Sequence, residues 1–259
     1  MITVINEWIN RIPIINKIYQ KIMNAFLVKK QEFPVFFKNI KLYINIKDPI
    51  DKMVFYKNQY EEKQINFLVK WIKKNKPHAF IDVGANFGIY SLRISKLFPN
   101  LKIIAFEPVV TTFNKFKKHI KINNLKKKIK AFNIGLSNDG GNKKMIALKR
   151  KGYAQSGGAS FNIPKRKFTH EDVFQYCKTI VGDKILKFKN KKIILKIDVE
   201  RYENNVLLGI KNLLNNNNIL LQIEILDDNF KKINKFLLNN KFQLIKKFDK
   251  TYDYFYINY

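Results

Sequence analysis

Cysteine is nearly absent from this sequence: Cys177 is the only one in 259 residues. An internal disulfide is therefore excluded, and no Cys/His cluster has the spacing of a zinc site. A lone thiol suits a reducing, cytoplasmic setting. Acids are scarce as well, 20 Asp and Glu against 50 Lys and Arg, which leaves a formal net charge of +30. Long apolar runs are missing: no stretch approaches the roughly 18 uninterrupted apolar residues of a spanning helix. The start, "MITVINEWIN", lacks the basic n-region and apolar run of a signal peptide. A soluble protein is expected.

What is present can fill a core. A composition 46% hydrophobic and 14% aromatic excludes wholesale disorder. The length suits one large α/β domain with appendages, or at most two small domains. The charge admits two readings. Such a chain attracts nucleic acid, anionic lipid or acidic glycans. Yet Lys, Asn and Ile are abundant together throughout, so composition alone accounts for the same number. No RGG run, RNP-like aromatic motif or zinc finger accompanies it.

Residues 1–30 place Val4, Ile5, Trp8, Ile9, Ile12, Ile15, Ile18, Tyr19, Ile22, Met23, Phe26 and Leu27 on one helical stripe, with Pro13 as a kink or break. Lys17, Lys21, Lys29 and Lys30 lie alongside, so the stripe either packs on protein or lies on a membrane surface. Short strands are expected in "FPVFFKNIKLYINI" and "KMVFY", then a helix in "YEEKQINFLVKWIKK". From residue 79 short apolar strands alternate with helices, which predicts a mainly parallel sheet covered on both faces. The last two strands, "FQLIKKF" and "TYDYFYIN", are joined at Asp249–Lys250 and should form an antiparallel hairpin. Residues 1–54 thus read as an N-terminal extension and residues 55–259 as the main domain.

The sharpest local motif is "IDVGANFGIYSL". A buried strand ends near Asp82, and Gly84, Ala85, Asn86 and Gly88 lead into a helix. Small residues allow close backbone approach, and the helix start offers unpaired N–H groups. Glu107 closes the next strand, where a carboxylate suits the two hydroxyls of a ribose. Together they propose an adenosine-containing cofactor. A dinucleotide site would read G-x-G-x-x-G; here an acid stands two residues before the first glycine, badly placed against a pyrophosphate. Asp82 is better matched to the cationic amino acid end of S-adenosyl-L-methionine.

Several ordered stretches carry a family resemblance: "FIDVGANFGIYSL", "IIAFEPV", "GLSNDGG", the "GGAS" loop and "ILKIDVERYENNVLLG" followed by "LLQIEI". Over roughly residues 55–226 the chain resembles the FkbM-family methyltransferases. The resemblance implies a Rossmann-like class I fold with a seven-stranded sheet, S-adenosyl-L-methionine as cofactor, and methylation of a hydroxyl on a sugar or natural product. It implies cofactor contacts at Asp82, Gly84, Ala85, Asn86, Gly88 and Glu107. Asp198, Glu200 and Glu203 fall on the family's D-V-E-G-x-E stretch, with Arg201 where glycine is usual. "VGD" at 181–183 stands where T-L-D is usual, which puts Gly182 at the leucine position.

Methyl transfer to oxygen needs a base for the hydroxyl proton. Asp198 and Glu200 are candidates, with Glu224, at the end of "LLQIEI", as a third on the same sheet edge. Arg201 and Glu203 are tentative substrate contacts, Arg201 for an anionic acceptor; Glu203 suits helix capping equally well. Carboxylates could hold Mg²⁺, but spacing does not establish it and no metal is assigned. His78, His119 and His170 are scattered, and of these only His170 is placed to be a base. The expected activity is O-methylation of a glycan or small hydroxylated metabolite. An RNA methyltransferase, or a degenerate membrane- or glycan-binding module, are the alternatives.

Overall fold

The structure is a computed structural model that describes residues 13–27, 32–150, 153–154, 156–163 and 168–259. Val4, Ile5, Trp8, Ile9 and Ile12 of the proposed stripe lie outside them. Helix α1 (Pro13–Leu27) has Pro13 at its start, where a missing N–H costs nothing. Tyr19, Met23 and Leu27 pack inward. Ile18 and Ile22 face outward, 56% and 62% exposed, beside Lys17 and Lys21. Among the described residues no helix is long and apolar enough to cross a membrane.

Strands β1 (Phe33–Phe37) and β2 (Ile40–Ile44) form an antiparallel hairpin. Asp48 caps the short α2 (Pro49–Lys52) by accepting the N–H groups of Ile50 and Asp51. "KMVFY", expected as a strand, is instead helical: Met53–Lys57 is a π-helical turn that continues α2. The run follows directly on the capped α2 and buries Val54, Phe55 and Tyr56 as a turn rather than as a strand. Helix α3 (Glu62–Asn75) follows.

The alternating pattern then unfolds as β3 (Ala79–Val83), α4 (Ile89–Leu97), β4 (Lys102–Phe106), α5 (Val110–Ile122) and β5 (Ile129–Phe132). "IKAFNIGL", expected as one strand, divides here. Beyond β5, Asn133 turns the chain by donating to the carbonyls of Glu107 and Pro108. The next strand, β6 (Gly135–Ser137), joins a separate sheet with β7 (Gly141–Arg150), β8 (Tyr153–Ala154) and β9 (Asp172–Val181).

Strand β10 (Lys192–Ile197) returns to the central sheet. The predicted helix after it is broken into α6 (Glu203–Gly209) and α7 (Lys211–Asn215). Gly209 packs so tightly on the Ser137 carbonyl that a Cβ would sit 1.9 Å from its oxygen. Asp183 accepts the N–H groups of Asn212 and Leu213 at the start of α7. Strand β11 (Asn218–Glu224), helix α8 (Asp227–Asn239) and the antiparallel pair β12 (Gln243–Lys247) and β13 (Asp253–Ile257) complete the chain.

The seven central strands run in the order β12-β13-β11-β10-β3-β4-β5, and only β12 and β13 introduce antiparallel pairing. This is a Rossmann-like, mainly parallel seven-stranded sheet closed by an antiparallel hairpin, as expected. Period-two alternation divides the core between the two faces. Phe80, Ile194, Leu220 and Phe255 face the hairpin, α3, α4 and α5. Ile81, Leu195, Leu221 and Tyr254 face α6, α7 and α8.

The hairpin is fastened to α5 by polar groups that imitate a neighbouring strand. Asn123 accepts from the Lys41 N–H at 2.8 Å and donates to the Lys41 carbonyl at 2.7 Å. His119 accepts from the Tyr43 N–H through Nε2 at 2.9 Å, and its Nδ1 lies 3.0 Å from the Phe87 carbonyl. Only the neutral ring protonated at Nδ1 satisfies both. Burial favours that form and lowers the pKa to about 4. His119 is therefore structural. His119→Ala should cost about 2–4 kcal/mol in urea unfolding, because it opens a cavity and leaves the Tyr43 N–H unpaired.

Candidate active site

At the carboxyl ends of β3, β4, β10 and β11 lies a cleft of about 250 Å³. Its near wall is the turn after β3. The N–H groups of Gly84 and Ala85 both donate to the Phe106 carbonyl at 3.0 Å, which folds the turn back over β4. Gly84 has φ +79°, and a Cβ there would lie 1.8 Å from the Asp198 carbonyl oxygen. Gly88, at φ +90°, faces the Phe116 ring, where a Cβ would come within 2.0 Å. Both glycines are thus demanded by protein packing rather than by the approach of a ligand. Asn86 takes φ +52° and accepts the Phe87 N–H with its own side chain.

Glu107 locks the turn to β4. Its two carboxylate oxygens accept the N–H groups of Asn86 and Val109, each at 2.9 Å. Burial nevertheless raises its pKa to about 7. Asp82 is fully buried and lines the cleft. Ser91 donates to its Oδ2 at 2.6 Å, while Oδ1 has no partner.

The far wall carries the acids that follow β10 and close β11. Asp198, Glu200 and Glu224 all line the cleft, and each offers one oxygen within 4.8 Å of the others. A shared hydroxyl or ammonium hydrogen-bonded among them fits this spacing as well as a cation does, and no metal is assigned. Glu224 is half-buried, and its carboxyl group has no hydrogen-bond partner among the described residues. Burial first, then Asp198 and Glu200, push it up to about 9. Glu200 is also raised, by burial and by Asp198. The small-residue loop forms a roof over this wall: Gly158 N–H donates to Glu200 Oε1 at 3.0 Å, and Ser160 Oγ donates to the Glu200 carbonyl. The Ser156 N–H donates to Asp48 at 2.7 Å and ties the roof to α2.

Two sequence candidates do not reach the cleft. Arg201 points outward to an ion pair with Asp228 on α8. Glu203 is buried and accepts the Arg201 N–H at 2.9 Å, an end-cap for α6, with its pKa pushed up to about 7 by burial. His78 packs against Phe188, His170 lies in an exposed turn, and burial pushes the Cys177 thiol up to about 11.

The structure adds groups that motif reading passed over. Lys196 lines the floor, with Nζ 2.8 Å from Asp198 Oδ2. Burial opposes its charge, but Asp198, Asp82 and Glu61 outweigh that and hold the ammonium well above its usual range. Tyr90 donates to Glu61 at 2.6 Å and accepts from Gln222 at 3.0 Å. The available signal is a lone polar residue inside an apolar strand, as in "KIILKI" and "NILLQIE".

These buried acids give stability an unusual pH dependence. Burial holds Glu61, Glu107 and Glu203 at about 7 and Glu224 at about 9 in the folded chain. Unfolded, they release their protons near 4.3. The folded state therefore binds more protons, and its stability falls as pH rises. His119, half-protonated at pH 6.5 only when unfolded, opposes the trend weakly up to about pH 7.5 and not beyond. Thermal melts should shift downward from pH 6.5 to pH 9; a flat or rising midpoint would contradict these protonation states.

Comparison with known proteins agrees with this geometry. The methyltransferase FkbM domain model matches residues 82–244. Methyltransferase sdnD of Sordaria araneosa is 34% identical over 61 residues, covering 24% of each chain. Methyltransferase 1 of Beauveria bassiana is 26% identical over 184 residues, covering 62% of this chain and 73% of its own. Among solved structures, the FkbM methyltransferase from Methylobacillus flagellatus superposes with a TM-score of 0.48 at 13% identity, over 70% of this chain and 43% of that one. This chain thus spans about a quarter of the Sordaria protein and under half of the Methylobacillus chain. With its model matched from Asp82 to Leu244, more than half of the chain, the chain belongs to the FkbM methyltransferase family, whose methyl donor is S-adenosylmethionine.

Proposed function

We propose that the protein transfers a methyl group to a hydroxyl oxygen of a glycan or small hydroxylated metabolite. The observation that carries this reading is the trio Asp198, Glu200 and Glu224, three carboxyl groups converging on one end of the cleft. Such a wall accepts hydrogen bonds and protons from hydroxyl groups and repels phosphates. It therefore weighs against RNA, despite the +30 charge of the chain.

The residues present fit the cofactor. Asp82 Oδ1, buried and unpartnered, would accept from an ammonium group. Glu107 would take the ribose hydroxyls on the lone pairs not used by Asn86 and Val109. The Gly84–Gly88 turn would lie between them. When bound, S-adenosylmethionine supplies an electrophilic methyl group on its sulfonium.

Asp198 is the proposed base. Lys196 donates to its Oδ2, leaving Oδ1 to take the hydroxyl proton. Glu224, kept protonated up to about 9, would donate a hydrogen bond to the acceptor at neutral pH. Glu200, clamped by the roof loop, would fix the acceptor's orientation. A base of this kind contributes about 10²–10⁴-fold.

Calorimetry with S-adenosylhomocysteine tests the cofactor site: the native protein should bind, and Glu107→Ala should weaken binding by at least about tenfold, one to two hydrogen bonds to a charged group. Methyl transfer to a panel of sugars and polyols should fall about 10²–10⁴-fold in Asp198→Asn with binding retained. Transfer stimulated by RNA and abolished by salt would replace the hydroxyl-metabolite reading. A folded protein that binds no S-adenosylhomocysteine would point to a degenerate binding module.

A second reading concerns location. Outward Ile18 and Ile22 beside Lys17 and Lys21 suit contact with an anionic bilayer. Co-sedimentation with phosphatidylserine vesicles should fall when Ile18 and Ile22 are both changed to Ser; unchanged sedimentation would remove this reading.

A further inference from the structure

One polar row crosses the middle of an otherwise apolar sheet. Asp82 on β3 stands in register with Lys196 on β10, and Lys196 with Gln222 on β11. Each lies two residues beyond Phe80, Ile194 or Leu220, so all three point to the face covered by α3 and α4. A parallel sheet buried on both faces normally carries apolar residues there.

Lys196 is the centre of this row. It is 3% exposed, yet it lines the cleft. Its Nζ is 2.8 Å from Asp198 Oδ2 and 4.8 Å from the centroid of the Tyr90 ring. Glu61, just ahead of α3, reaches the same space and is held by Tyr90. Gln222 and Gln64 tie down Asp253 behind them. Taking an ammonium out of water costs several kcal/mol unless its partners are well placed. Here the partners are acids on three different segments, which would repel one another across the cleft floor without a cation between them. With Lys196 in place Asp82 needs only Ser91, and its Oδ1 stays unbonded.

We propose that Lys196 is a positioning residue for the cofactor's amino group: lying between Asp82 and Asp198, it holds both carboxylates at the cleft floor and leaves Asp82 Oδ1 free to receive a ligand ammonium. The inference rests on S-adenosylmethionine occupying this cleft.

The test measures two ligands by calorimetry on the full chain: S-adenosylhomocysteine and its deaminated analogue, in which hydrogen replaces the amino group. The native protein should prefer the amino form by roughly 10- to 100-fold, the worth of one hydrogen bond to a charged group. Lys196→Met should bind the deaminated analogue almost as the native protein does, while its preference for the amino form drops below about threefold. Lys196→Arg should restore most of the preference. An equal loss for both ligands in Lys196→Met would mark Lys196 as merely structural and overturn the proposal, as would an unchanged ratio. If Lys196→Met does not fold, Lys196→Gln and Asp82→Asn carry the same expectation and the same overturning result. A native protein that binds neither ligand would overturn the cofactor assignment itself, and is thereby distinguished from failure of the Lys196 proposal.

Discussion

The cleft exists because the ends of β3 and β10 are pressed together. The Asp198 N–H bonds the Val83 carbonyl at 3.0 Å, and the chain leaving β3 passes so close to Asp198 that position 84 has no room for a Cβ. That contact sets the Gly84–Gly88 turn over β4, where Phe106 and Glu107 hold it with three backbone hydrogen bonds. It also delivers Asp198 beside Gly84, one step beyond the Asp82–Lys196 pair, although more than a hundred residues separate the two strands. A larger residue at 84 would move both walls at once, since neither is anchored independently of the other.

Charge is arranged against the composition. A chain with 50 basic and 20 acidic residues places Asp82, Glu107, Asp198, Glu200 and Glu224 around one cleft, with Lys196 its only lining Lys or Arg among the described residues. In water such acids would simply repel. Here desolvation lifts Glu107 to about 7 and Glu224 to about 9, so part of the charge is neutralised near neutral pH, while Lys196 bonds Asp198. Protonation and ion pairing together spare the sheet a concentrated negative charge. The cleft thus differs in sign from the chain as a whole, and the net charge does not describe it.

The alternating strand and helix pattern was legible because burial imposes it residue by residue: "AFIDV", "KIIAF" and "NILLQIE" cannot sit elsewhere. The near wall was legible because turn chemistry is local. The sequence misled where tertiary contacts decided. "KMVFY" has strand composition but continues α2 as a buried helical turn, and "IKAFNIGL" is divided by Asn133, which bonds a distant carbonyl pair. Lys196 and Gln222 were visible only as polar interruptions in apolar runs. Their meaning depends on which strands lie side by side, and no local window contains that.

Arg201 illustrates how a departure from family pattern can be real yet remote from chemistry. Its φ is +73°, the region where glycine is at ease and where other residues pay roughly 1–2 kcal/mol. The glycine usual at this position in resembling sequences is thus a backbone requirement. Arginine meets the requirement at some cost, offset in part by the ion pair with Asp228 and by the Glu203 carboxylate on its N–H. Glu200 before it also has positive φ, at +51°. Two successive left-handed residues swing the chain sharply after Asp198, turning Glu200 inward under the roof loop and Arg201 outward. The substitution therefore alters the rim between β10 and α8, not the wall that faces the ligand, and by itself gives no reason to regard the site as degenerate.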